Sequence, residues 1–264
     1  MTSLLSGLNP QQLEAITVPH QSILILAGAG SGKTRVLTTR IAYLIQSGLA
    51  SPHSILAVTF TNKAAKEMLT RISAMLPINP RGMWIGTFHG LCHRMLRAHY
   101  QDAGLPSTFQ ILDSADQLAM IKRILKNLSV DEKKFSPRQV QWFINSAKEA
   151  GLRAADVTVD DAFSRHMLEF YQVYEQQCQK EGAVDFAELL LRSFELLSRN
   201  EILCHHYRER FQYILVDEFQ DTNTLQYAWL KLLAGVGTEH AAAVCAVGDD
   251  DQSIYAFRGA HSGN

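Results

Sequence analysis

The sequence predicts an α/β protein, a parallel sheet with helices on both faces, interrupted by an all-helical insertion. Three observations predict it. Short apolar runs alternate with helical patterns from Ser22 to Phe88 and return at Tyr213. Each run gives way to polar residues at its carboxyl end, as in sheets that gather ligands along one edge. Between about Leu91 and Arg208 the rhythm changes to helix after helix.

The first element, Leu8 to Ile16, starts with a turn former and continues as a short amphipathic helix in which Gln11 and Gln12 read as solvated positions. Ser22 then opens the run SILILA, five of six residues apolar, which reads as a short buried strand. The loop after it is Ala27-Gly28-Ala29-Gly30-Ser31-Gly32, leading into Lys33-Thr34-Arg35. Glycines 28, 30 and 32 lack a Cβ, so the backbone can curl tightly and aim its N–H groups at an anion. Lys33 would reach the β- and γ-phosphates of a nucleotide, and Thr34 would ligate Mg²⁺. The helix opening at Lys33 would add the positive end of its dipole. The strict pattern asks for glycine where Ala27 stands; the Gly-Lys-Thr end that carries the chemistry is intact.

Val36, Leu37, Ile41, Leu44 and Ile45 give the next helix its apolar face, and Gly48 and Pro52 end it. Ile55 to Thr59 is a second strand, followed by Phe60-Thr61-Asn62-Lys63 and a helix from Ala64 to Met75. Trp84 to Phe88 is a third strand, with His89 after it. In a parallel sheet the loops at Gly28, Phe60 and Phe88 open onto one side.

The insertion, placed at 91–208, divides a sheet domain of 1–90 plus 209–264. Asp113 and Asp116 resemble a capping box ahead of an apolar stripe at Leu118, Ile121, Leu125 and Leu128, and Gln139 to Ala150 and Met167 to Lys180 read as further helices. Pro106, Pro137 and Gly151 punctuate them. The basic residues here, among them Arg94, Arg97, Lys122, Arg123, Lys126, Lys133, Lys134, Arg138 and Lys148, are mixed with acids. They read either as solvated faces or as a phosphate-contacting face.

Strand rhythm returns at Tyr213 to Val216, and Asp217-Glu218 follows directly. A carboxylate pair at a strand end is the second half of a phosphate-loop nucleotidase. Asp217 would hold Mg²⁺ and Glu218 would accept a proton from the attacking water. The last strand, Ala241 to Val247, leads to Gln252, which could orient that water or sense the γ-phosphate. Tyr255, Phe257 and Arg258 follow. Bases stack on such aromatics with ~1–3 kcal/mol each, although spacing alone favours core positions for both rings.

Composition sets wide bounds. The chain has 264 residues, 47% hydrophobic and 19% charged, with a net charge of −1, so no global basic field marks a nucleic-acid binder. A local basic groove is still compatible with it. Cys92, Cys178, Cys204 and Cys245 form no CxxC pair, which suggests reduced thiols in a cytosolic protein. No basic-then-apolar leader and no apolar run near ~18 residues is present, so neither secretion nor a membrane is indicated. The clusters His89, Cys92, His93 and Cys204, His205, His206 each lack a second half at zinc-ligand spacing.

The blocks GAGSGKT, AVTFTNKAAKEM, GTFHG, VDFAELL, ILVDEFQDTN and VGDDDQSIYAFRGA, in that order, resemble the superfamily 1 DNA helicases of the UvrD type. The resemblance runs from Leu8 to Ala260 and implies a RecA-like phosphate-loop domain, 1A, with a helical subdomain, 1B. It implies that Gln12 reads the adenine edge and Arg35 contacts nucleotide. It implies single-stranded DNA contacts at Phe60, Thr61 and Asn62, at Thr87, Phe88 and His89, and at Asp185 and Phe186. Tyr255, Phe257 and Arg258 match the segment joining the γ-phosphate sensor to base stacking. The family usually has Trp at the position of Phe257, which keeps a π-face of smaller area.

On this resemblance the chain is the N-terminal half of an ATP-dependent 3′-to-5′ DNA helicase of repair, using ATP and Mg²⁺. Its partners would be single-stranded DNA, single/double-strand junctions, and mismatch- and excision-repair proteins. It would act in the cytoplasm, on the nucleoid. The family's motor sets two RecA-like domains around ATP, so the chain alone is expected to hydrolyse ATP slowly and not to unwind duplex. Two other readings stay open. One is a non-motor module that binds ATP and single strands; the other is a phosphate-loop kinase or switch without DNA, which leaves the aromatics at the strand ends unexplained.

Overall fold

A computed structural model describes residues 4–26 and 32–248. In chain order its elements are α1 (Pro10–Thr17), β1 (Ile23–Leu26), α2 (Lys33–Gln46), β2 (Ile55–Thr59), α3 (Asn62–Met75), β3 (Trp84–Thr87), α4 (Phe88–Ala98) and β4 (Gln110–Leu112). Then come α5 (Ser114–Asn127), α6 (Pro137–Glu149), α7 (Ala162–Glu181), β5 (Ala183–Asp185), α8 (Phe186–Arg199), α9 (Glu201–Arg210), β6 (Tyr213–Val216), α10 (Thr224–Ala234) and β7 (Ala243–Gly248). The chain divides into two compact units. One is Met1–Leu91, Asn200–Thr222 and Trp229–Asn264; the other is Cys92–Arg199 with Asn223–Ala228.

The first unit is built on a sheet of order β1-β7-β6-β2-β3, with every neighbouring pair parallel. Strands β2, β6 and β7 are buried along their whole length, which is why the sequence shows unbroken apolar runs there instead of alternation. On one face Leu37, Ile41 and Leu44 of α2 and Met68 and Ile72 of α3 pack against Ile55, Ala57, Leu215, Cys245 and Val247. The alternating residues Leu56, Val58, Ile214 and Val216 are buried too, turned to the opposite face by the pleat. Parallel pairing throughout puts the carboxyl ends of all five strands on one edge. Residues Phe60, Phe88, Asp217 and Gly248 therefore stand in a row of strand ends, as the sequence predicts.

The division of the chain differs from the sequence expectation at α9. The sequence reading puts residues 201–208 in the helical insertion and 223–228 in the sheet domain, yet Asn223–Ala228 groups with the helical unit and α9 with the sheet unit. Its Tyr207 stacks on Phe211 at 5.8 Å and meets Trp84 of β3 edge-on at 5.6 Å, so the helix buries its apolar side on the sheet.

In the second unit α5, α6 and α7 close around Met120, Ile121, Leu125, Val140, Ile144, Phe170, Tyr171 and Tyr174. Asp113 and Asp116 form the expected capping box at the start of α5. The unit is helical apart from one parallel ladder, β4 with β5, in which Ile111 pairs with Val184. Strands of three residues are too short to display a period, and so the sequence pattern hides them. Among the described residues no helix is long and apolar enough to cross a membrane.

Candidate active site

Helix α2 begins where β1's loop ends, with Gly32 in the left-handed region at φ 76° as its N-cap, a conformation that favours glycine. The first two helical residues are Lys33, 8% exposed, and Thr34. Strand β6, two places along the sheet from β1, ends at Asp217, whose N–H donates to the Val58 carbonyl at 3.0 Å and so extends the ladder by one residue. There Thr34 Oγ1 donates to Asp217 Oδ2 at 3.4 Å. Asp217 is 4% exposed. Burial pushes its carboxyl up, the neighbouring Glu218 adds to that, and the Glu218 N–H, the Thr34 hydroxyl and the Lys33 ammonium pull the other way without cancelling it. A buried carboxylate beside a hydroxyl gives oxygen donors suited to a small hard cation. The residues present fit Mg²⁺.

Glu218 follows with φ 50° and ψ 45°, a left-handed conformation that a non-glycine residue rarely adopts and that stores strain. Its N–H donates to Asp217 Oδ1 at 2.9 Å, and its Oε2 accepts from Gln220 Nε2 at 2.6 Å. Gln220 is a site residue that the sequence reading missed. Its Oε1 lies 2.7 Å from where a Cβ on Gly248 would stand, so it packs flat on the end of β7 while it orients Glu218. The signal was its place two residues beyond the carboxylate pair.

Gln12 occupies the third position of α1, half-buried, and its Oε1 accepts the Asn9 N–H at 3.1 Å in a capping box. Arg35 is exposed on the first turn of α2, with Nη2 3.8 Å from where a Gly7 Cβ would stand. The two residues expected at the base end thus belong to neighbouring helix starts.

The residues expected on DNA separate into surface and interior. Phe60 is half-buried at the end of β2 and leans edge-to-face on Phe88 at 5.3 Å. Phe88 is 2% exposed and in turn meets Trp229 at 5.8 Å. It supports Phe60 from beneath and has no open face for a base, which corrects the expectation of direct contact. Thr61 and Thr87 spend their hydroxyls on helix starts, accepting from Ala64 N–H at 3.1 Å and Gly90 N–H at 3.0 Å. Asn62 and His89 are exposed.

Asp185 is also corrected. It is 2% exposed. Its Oδ1 caps α8 by accepting the Glu188 N–H at 2.7 Å. Its Oδ2 accepts from Tyr174 Oη at 2.6 Å, Lys148 Nζ at 2.7 Å and Gln117 Nε2 at 3.3 Å. Four donors occupy the carboxylate, so it is an anchor of the second unit's interior. Phe186, next to it, is 42% exposed. Ala27, Gly28, Ala29, Gly30 and Ser31, and Gln252, Tyr255, Phe257 and Arg258, lie outside the described residues.

A five-stranded parallel sheet that brings the opening of a loop-borne helix to a strand-end carboxylate on its carboxyl edge is a RecA-like domain. The chain belongs to the UvrD/REP helicase N-terminal domain family, whose pattern matches residues 8–264. It is 54% identical over 262 residues to DNA helicase II of Escherichia coli (strain K12), covering 99% of this chain and 36% of that protein. It is 53% identical over 269 residues to DNA helicase II of Haemophilus influenzae, covering 100% of this chain and 36% of the relative. It is 44% identical over 265 residues to ATP-dependent DNA helicase PcrA of Bacillus subtilis, covering 97% and 34%. The chain therefore spans about a third of the length of the relatives it matches.

Proposed function

We propose that these 264 residues are the N-terminal, ATP- and single-stranded-DNA-binding part of an ATP-dependent 3′-to-5′ DNA helicase acting in DNA repair, in the cytoplasm and on the nucleoid. The observation that carries the reading is the pairing of Thr34 with the buried Asp217 at 3.4 Å, beside the first helical residue Lys33. Family membership supports it. Lys33 would bind the β- and γ-phosphates, and Thr34 and Asp217 would hold Mg²⁺. Bound there, the ion would neutralise charge on the phosphate oxygens. Glu218, oriented by Gln220, would take the proton of the attacking water, with Gln252 placing that water or sensing the γ-phosphate. Gln12 and Arg35 would hold the adenine end.

Single-stranded DNA, and the single/double-strand junctions where unwinding begins, would run past the carboxyl edge at Phe60, Thr61, Asn62 and His89. Thr87 and Phe88 would shape that edge from within. Tyr255, Phe257 and Arg258 would link base stacking to the nucleotide. Mismatch- and excision-repair proteins are the partners this role implies.

The test is steady-state ATP hydrolysis by the chain with and without a single-stranded oligonucleotide, alongside oligonucleotide binding by fluorescence anisotropy. Slow hydrolysis that the oligonucleotide accelerates is expected. Nucleotide binding with no affinity for the oligonucleotide would instead identify a phosphate-loop switch that does not act on DNA.

A further inference from the structure

We propose that Arg40 is a positioning residue that fixes α1 against the phosphate-binding helix α2 and thereby sets the base selectivity of the nucleotide site. The proposal rests on the reading of Gln12 as the adenine contact.

Helix α1 has eight residues, and only Ile16 among them is buried. A helix this short has little stability of its own and depends on what it docks against. Arg40 lies beneath it, 1% exposed. Its Nη1 donates to the carbonyls of Ala15 at 3.4 Å, Ile16 at 3.0 Å and Val18 at 2.8 Å. These belong to the last turn of α1 and its C-cap, where carbonyls lack intrahelical partners and the dipole is negative. A planar cation with several donors answers both needs. The guanidinium also lies 5.9 Å from the centre of the Tyr213 ring, the residue that opens β6, the strand that leads into Asp217.

Arg40 stands seven residues after Lys33, two helical turns on, and both side chains are buried. One rigid helix thus carries the phosphate lysine at its start and a clasp on α1 further along. At the other end of α1, Arg35 of the same helix sits beside Gly7. Gln12 lies between that end of α1 and the Arg40 clasp, one turn before Ile16. The distance from the phosphate grip to the base reader is therefore set by α2 through Arg40. Loosening Arg40 displaces Gln12 and leaves Lys33 where it was.

The test compares the wild-type chain with Arg40→Lys, Arg40→Met, Gln12→Ala and the double variant Gln12→Ala/Arg40→Lys. ATP, GTP and inorganic tripolyphosphate compete with a fluorescent nucleotide in the presence of Mg²⁺. Arg40→Lys keeps a cation able to reach a carbonyl, so it guards against loss of folding in Arg40→Met. The expected result is a fall of about threefold in the preference for ATP over GTP in Arg40→Lys and about tenfold in Arg40→Met, the scale of a lost hydrogen bond. Tripolyphosphate affinity is expected to stay within about twofold, and in the Gln12→Ala background Arg40→Lys should not change the preference further. A folded Arg40→Lys with wild-type preference, or effects that add in the double variant, would overturn the proposal. A wild-type chain that binds neither ATP nor tripolyphosphate would overturn the nucleotide-site reading itself, and one that binds ATP and GTP equally would overturn the role given to Gln12.

Discussion

Phe60 and Phe88 show how two similar residues at neighbouring strand ends take different work. Phe60 keeps part of its ring at the surface while Phe88 is enclosed between Phe60 and Trp229. Phe60→Ala is expected to weaken binding of a single-stranded oligonucleotide by ~1–3 kcal/mol, the worth of one stacked base, and to change stability little. Phe88→Ala removes a filled core position and should destabilise the first unit by ~3–5 kcal/mol in chemical denaturation. Urea melts and anisotropy titrations of the two variants separate these outcomes. The motif pattern located both residues but could not tell which ring faces out, because that depends on Trp229, more than a hundred residues away in sequence. The thiols behave more uniformly. All four cysteines are buried, and burial pushes Cys92 and Cys245 up to about 12 and Cys178 up to about 11. A thiol-disulfide reagent at neutral pH should label none of the four quickly in the folded chain and all four after denaturation.

Among the elements, α6, β5 and α8 are joined by charge inside the second unit. Lys148 reaches Asp185 at 2.7 Å and Glu188 at 3.0 Å. Arg153 reaches Glu188 at 2.6 Å and Glu195 at 2.7 Å. Lys148→Met would leave two buried carboxylates facing one fewer cation and should destabilise the unit by ~3–5 kcal/mol. Burial alone would raise the Glu188 carboxyl, but Lys148 and Arg153 outweigh it and hold the group well below the usual carboxylate range. A carboxyl depressed on folding adds stability that is complete above its unfolded value of about 4.3 and is lost as pH falls toward the folded value. Glu188→Gln should therefore flatten the loss of stability between about pH 5 and pH 3 in urea melts, whereas an unchanged slope would remove the network from the acid response.

Helices α5, α6 and α7 were legible from their apolar stripes and α5 also from its capping box, because both signals are local, although α7 starts at Ala162 behind an Asp161 cap, five residues before the start read from the sequence. The charge network and the β4–β5 ladder were not, since each joins residues from separate parts of the chain and is written in no single period. Asp185 misled for that reason: a carboxylate in a motif reads as exposed until Lys148, Tyr174 and Gln117 are seen around it.

For the molecule as a whole, the sheet unit was legible because β2, β6 and β7, buried along their whole length, leave continuous apolar runs, and because the residues at the strand ends are chemically distinctive; β1, read as buried, is half-exposed instead, with Leu26 at 42%. What was not legible was the allegiance of α9, which has only a few apolar residues and declares its side through Tyr207 and Trp84. The resemblance implies a motor that closes a second RecA-like domain around ATP, and an arginine supplied across such a site is worth about 10³–10⁵ in turnover in phosphoryl-transfer enzymes. The 264 residues assayed alone should thus hydrolyse ATP slowly and separate no duplex, a result read directly from phosphate release and strand displacement.

Lys33, Thr34 and Asp217 forming one Mg²⁺-nucleotide site is checked by calorimetric titration of ATP into the chain. A single site is expected whose affinity rises when Mg²⁺ replaces EDTA, with Lys33→Ala weakening binding in both conditions and Asp217→Ala abolishing only the gain from Mg²⁺. Wild-type binding and an undiminished Mg²⁺ effect in both variants would contradict it.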